Sequence, residues 1–126
     1  MAGGSGGLAG RVTLPAFVDA LTAELTVLGP KGGATSGDPV ESILELSDDG
    51  TTSTGIWSCT PGSWSSSKDG VGELMHFLAG HGWITDADGT RHEIRPGMVR
   101  WFPDGWHGRW EVDETIRKVY VVVVSR

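Results

Sequence analysis

Apolar residues recur along this chain with two different periods. Leu14, Phe17, Val18, Leu21 and Leu25 are spaced at i, i+3, i+4, i+7 and i+11, the repeat of one helix face. Thr13 can cap such a helix, and Pro15 falls in its first turn, where a missing N–H costs nothing. The pattern predicts a short helix over about 14–23 that stops before Gly29-Pro30, followed by a Gly-rich loop from Lys31 to Asp38. From Val40 onward the period shortens to two. Strands are predicted around Ile43, Leu44 and Leu46, over Thr51 to Cys59, and more briefly over Trp64 to Lys68. Further strands follow at Glu73 to Leu78, Gly82 to Thr85 and Thr90 to Ile94, the last two joined by the hairpin turn Asp86-Ala87-Asp88-Gly89. Val99 to Phe102, Trp106 to Val112 and Ile116 to Val124 complete the set. Short strands with turns every eight to twelve residues read as a sandwich or barrel.

A chain of 126 residues makes one domain. Residues 1–12 are Gly/Ser-rich and read as a flexible segment, leaving 13–126 as the domain and about 40–124 as its barrel. The net charge of −6 comes without a basic patch, which argues against nucleic acid as a partner. No apolar run approaches a membrane span. A single cysteine, Cys59, rules out an internal disulfide and suits a small buried hydrophobe. With no apolar leader in the first residues, a cytoplasmic location is expected.

Two segments carry more information than the rest. One reads Gly97-Met98-Val99-Arg100-Trp101-Phe102-Pro103-Asp104-Gly105, a glycine followed five residues later by Pro-x-Gly. The other is Glu73 to Gly80, a glutamate ahead of a glycine. With Thr54 to Gly62, Gly105 to Val112 and the ending Glu114 to Tyr120, they resemble the small single-domain cupins grouped with (S)-ureidoglycine aminohydrolase and the ethanolamine-utilisation protein EutQ. The resemblance covers about residues 40–124. It implies an all-β, cupin-type jelly-roll barrel, here with the short N-terminal helix outside it, and a homodimer. Metal-binding cupins also carry His-x-His ahead of the glutamate and a histidine after Pro-x-Gly. Those places here hold Ser67 and Asp69 (or Ser66 and Lys68), and Gly108.

Side chains alternate across a strand, so parity assigns faces. If Glu73 faces the barrel interior, Met75 and Phe77 do too, and Trp110 shares the face of position 108. Glu73 reads as an acid/base or residual ligand, or as a buried carboxylate paired with Lys118 or Arg100. An indole beside it would raise its pKa and suit it to proton transfer. On that reading Glu73→Gln changes stability by no more than about 1–2 kcal/mol. His107 lies beside the vacant histidine place, and a β-bulge there would turn it inward. Asp69 is either a second carboxylate or a turn residue before Gly70. Trp101 and Trp110 flank the signature segments as candidate pocket walls, and an inward Lys118 would anchor an acidic ligand or neutralise Glu73.

No metal site is predicted from these residues, and no cofactor, although the cupin likeness leaves a divalent transition metal open. The expected function is a small-molecule enzyme of the cupin type, with Glu73 and His107 catalytic. Asp69, Met75, Phe77, Trp101, Trp110 and Lys118 would then hold a polar metabolite. The alternatives are a non-catalytic binding or accessory cupin, and a structural partner protein.

Overall fold

The computed structural model describes residues 14–125. Nine strands form one curled sheet: β1 Thr26–Pro30, β2 Ala34–Gly37, β3 Val40–Asp48, β4 Thr52–Cys59, β5 Gly62–Ser67, β6 Val71–Asp86, β7 Arg91–Ile94, β8 Val99–Phe102 and β9 His107–Val124. All pairings are antiparallel, and β9 is the hub. Its first part pairs with β5 on one side and the far end of β6 on the other. Its second part pairs with β4 and the near end of β6. The outer edge of β6 carries β8 and then β7, while β3 and β1 extend the sheet beyond β4. This is the cupin jelly-roll barrel that the signature segments implied.

The predicted helix over 14–23 does not form. Phe17 is 98 % exposed and Leu21 63 %, so the apolar periodicity has no surface to bury against. What forms is one turn, in which the Asp19 side chain accepts from the Leu21 N–H and the Asp19 carbonyl accepts from the Ala23 N–H. Arg117 of β9 donates to the Ala20 and Ala23 carbonyls and ties this segment to the barrel. The predicted loop after it contains one strand, β2, paired with β5, and β1 lies just ahead of that loop, paired with β3. Residues 1–12, read as flexible from sequence, lie outside the described residues.

Two pairs of predicted strands prove to be single long ones. Glu73 to Leu78 and Gly82 to Thr85 are both parts of β6, and Trp106 to Val112 and Ile116 to Val124 merge into β9. The register of β6 against β9 slips repeatedly between Phe77 and Gly82. Such bulges bend a strand so that it serves both halves of a barrel. Gly80 sits in this bend with φ +93°, and a Cβ there would run into the Thr115 carbonyl of β9. The core lies on the concave face. Trp64, Phe102 and Phe77 pack around Trp110, with the Trp64 and Trp110 rings stacked at 5.8 Å.

Candidate functional site

The same concave face opens into a cavity of about 390 Å³, lined among others by Trp57, Trp64, Trp110, Met75 and Tyr120. Strand register explains the lining. Trp57 of β4 stands opposite Lys118 of β9, which stands opposite Phe77 of β6. One step along, Tyr120 lies between Gly55 and Met75. Gly55 leaves room for the Tyr120 ring, whose hydroxyl would meet any Cβ added there.

At the centre is a buried charge triad. Lys68 Nζ donates to Glu73 Oε1 at 2.8 Å, and Lys118 Nζ donates to Glu73 Oε2 at 2.9 Å. The side chains of Glu73 and Lys118 are 8 % and 7 % exposed, and that of Lys68 14 %. Lys118 Nζ also lies 3.3 Å from Met75 Sδ and 4.4 Å from the Trp57 ring centre. Burial pushes the Glu73 carboxyl up, but the two ammonium groups outweigh burial and hold it below the usual carboxylate range. Lys118 behaves differently. Its full burial is only partly offset by one carboxylate, with Lys68 and Lys31 adding repulsion, and its pKa falls to about 8.

Lys31 and the carboxylates Glu41 and Glu45 also line the cavity. Glu41 accepts the Trp57 indole N–H at 3.0 Å. The indole N–H of Trp110 is buried and has no acceptor among the described residues.

The structure brings Glu73, Met75, Trp110 and Lys118 onto this cavity, and Phe77 into the core just beyond it. The other sequence candidates lie elsewhere. His107 is exposed, opposite Ser67 in a regular stretch of β5–β9 pairing with no bulge to turn it inward. Asp69 is an exposed turn residue that accepts from the Ser67 hydroxyl. Trp101 is 50 % exposed on the outer face. The inward face of β5 runs through Trp64 and Ser66 and continues to Lys68, so parity picks Ser66 and Lys68 rather than Ser67 and Asp69. The expected rise in the Glu73 pKa is also reversed, because the sequence argument counted the indole and missed a second lysine. Glu41, Glu45 and Trp57 were missed as well, although alternation along β3 and β4 places them on the cavity face. Arg100, weighed as a partner for Glu73, instead pairs with Asp86. Cys59 is buried, and burial pushes its thiol up to about 11.

These residues do not fit a transition metal. Among the described residues no three His, Cys, Asp or Glu side chains converge. The one carboxylate at the cupin ligand place has both oxygens engaged by ammonium groups, so lysines supply the cationic charge there.

Residues 46–120 match the family model of the EutQ-like cupin domain. The chain belongs to that cupin family. A comparison with curated proteins finds no match. Among solved structures, this cupin is similar to a protein of unknown function from Pseudomonas syringae pv. tomato, at 25 % identity and a TM-score of 0.74. That match covers 84 % of this chain and 46 % of the Pseudomonas protein, so the chain spans about half of that relative. The Clostridium difficile EutQ protein shares the fold at 17 % identity and TM-score 0.60, over 69 % of this chain and 64 % of EutQ. A Thermotoga maritima protein described as a predicted oxalate decarboxylase shares it at 19 % identity and TM-score 0.65, over 86 % of this chain and 98 % of its own. Cupins of this shape therefore include proteins named as enzymes and others not so named. No described helix is long and apolar enough to cross a membrane.

Proposed function

We propose that this cupin binds and acts on a small carboxylic acid, held by its carboxylate at the Lys68–Glu73–Lys118 triad. The observation that carries the reading is the charge count of the triad. Two lysines share one carboxylate in a buried, aromatic-walled cavity, leaving one positive charge without a counterion inside the triad. An incoming carboxylate supplies that counterion where water is scarce and the attraction is strong. The unpaired Trp110 N–H offers a further donor to the ligand, and Trp57 and Trp64 offer flat apolar walls. Glu41 and Glu45 would accept from a hydrogen-bond-donating far end of the molecule. Glu73 is then the counterion that orders the lysines, not a general acid, because its carboxyl is held ionised.

Titration with a panel of small mono- and dicarboxylates, followed by tryptophan fluorescence, tests this. Saturable quenching by at least one acid is expected, weakened about tenfold or more in Lys68→Met, as for loss of one charged hydrogen bond. An unresponsive fluorescence signal across the panel, or equal binding by Lys68→Met, would overturn the proposal. Conversion of the bound acid, followed by NMR, separates an enzyme from a binding protein.

A further inference from the structure

The chain has three lysines, Lys31, Lys68 and Lys118, and all three line this one cavity. Lysines ordinarily populate the surface. Lys118 is the most enclosed of them: only 6 % of it is exposed, and its amine touches Glu73 and Met75 and lies over the Trp57 ring. Lys118 nevertheless lines the cavity, beside Lys68, Glu73 and Trp110. The groups that face it are Glu73 and Met75 from β6, Trp57 and Cys59 from β4, Lys68, Lys31, and Tyr120 and Trp110 of its own strand.

We propose that Lys118 is a nucleophile that captures the carbonyl group of a small oxo acid as an imine, with Lys68 as the positioning residue that frees it to do so. This deepens the acid-binding reading above and rests on it. The geometry supports each requirement. Glu73 needs one cation to remain ionised, and Lys68 supplies it through Oε1 independently of Lys118. Lys118 can therefore surrender its proton without leaving a buried carboxylate unpaired. Burial lowers its pKa to about 8, so a useful fraction is free amine near neutral pH. The amine lone pair then attacks the carbonyl carbon, and the oxygen takes up a proton to give a carbinolamine. That oxygen leaves as water, carrying the two protons the amine began with, and a C=N bond remains. No oxidant or reductant enters the step. The acid would enter while Lys118 is still an ammonium and the triad holds its extra positive charge; its carboxylate would then rest against Lys68, which places its carbonyl beside Lys118 as that proton is shed.

Incubating the full-length protein with glyoxylate and sodium cyanoborohydride near pH 8 traps any imine as a stable secondary amine, which peptide mass mapping then locates. With only three lysines and the α-amine to resolve, the map is unambiguous. Lys118 is expected to react at least about tenfold faster than Lys31 or Lys68, because a pKa of about 8 gives it about a hundredfold more free amine at pH 8 than an ordinary lysine has, an advantage that its enclosure and lower basicity only partly offset. Lys118→Met should remove that adduct. Lys68→Met should move the pH midpoint of Lys118 labelling upward, and Lys68→Arg should restore it; unfolding would also raise the midpoint, toward about 10.4, so the shift counts only where tryptophan fluorescence shows Lys68→Met still folded at the labelling pH. Labelling spread evenly over the lysines, or an unmodified Lys118 in the folded wild type, would overturn the proposal whatever the variants do. Lactate, which has no carbonyl to capture, separates the two readings. If lactate quenches the tryptophans while glyoxylate leaves Lys118 unlabelled, the acid pocket stands and the imine falls. If neither responds, both fall.

Discussion

Replacing Glu73 with glutamine is the sharpest probe of the charge triad. The substitution keeps shape and volume and removes one charge. Lys118, almost wholly enclosed, loses its carboxylate partner at 2.9 Å, and Lys68 loses one at 2.8 Å. Breaking a buried pair from one side costs about 3–5 kcal/mol, because the surviving charge is left without compensation. The low end applies here, since Lys68 is nearest the solvent and Lys118 can shed its proton. A loss of about 3 kcal/mol corresponds to a fall of roughly 12 °C in Tm for a domain of this size. This exceeds the 1–2 kcal/mol ceiling expected from the sequence, which had not counted the second lysine. The pH dependence gives the sign. Glu73 raises the Lys118 pKa, so its removal drops that pKa further below about 8. A lysine depressed in the folded state costs stability wherever the unfolded chain still holds the proton, and the cost fades as pH approaches the unfolded value near 10.4. The Glu73→Gln deficit should therefore be largest at pH 7 and smaller at pH 10. Urea unfolding followed by tryptophan fluorescence at both pH values measures it. The double variant Glu73→Met, Lys118→Met, which removes the two most deeply buried charges and leaves only Lys68 on the solvent side, should recover part of the loss. A deficit below about 0.5 kcal/mol at pH 7, in the range of an unremarkable surface change, would refute the reasoning. So would a deficit that grows with pH.

Three further expectations concern the rest of the molecule. His81 donates or accepts between Glu93 and Asp113, and these hydrogen bonds raise its pKa. Its contribution should be fully present below the unfolded pKa near 6.5 while both carboxylates stay ionised, and be lost as pH rises through the raised folded value. The Tm gap between wild type and His81→Asn should accordingly narrow between pH 6 and pH 9, and a constant gap would contradict it. Cys59, buried with its thiol pushed up to about 11, should resist iodoacetamide at pH 8 until urea is added; rapid alkylation of the native protein would count against its enclosure. The chain is expected to form a homodimer, since Leu74, Val99, Trp101 and Val123 are exposed on the outer face of β6, β8 and β9. Light scattering should give twice the monomer mass, and a monomer at tens of micromolar would end that proposal.

Local pattern determined much of this protein. Period-two alternation from Val40 onward marks the barrel strands, and it correctly turns Glu73, Met75, Phe77 and Trp110 inward and His76 outward. Spacing around Pro103 and Gly105, taken with the Thr54–Gly62, Glu73–Gly80, Gly105–Val112 and Glu114–Tyr120 segments, pointed to a cupin. The sequence suggested nine strands and nine are described, but they are not the same nine. Two predicted pairs fuse into β6 and β9, while β1 arises in the stretch between the predicted helix and the predicted loop, and β2 arises within that loop. Periodicity cannot distinguish a break in a strand from a bulge in one, because both interrupt the alternation. The helix failed for a related reason: an apolar face makes a helix only where tertiary structure offers a surface to cover it, and Phe17 finds none. The site depended on tertiary structure most of all. Asp69 and Lys68 are one residue apart at the end of β5, and only the register of that strand decides which of them meets Glu73. That single step exchanges a second carboxylate for a second ammonium. It lowers the Glu73 pKa where the sequence argued for a rise, because charge pairing across a barrel acts between residues far apart in the chain.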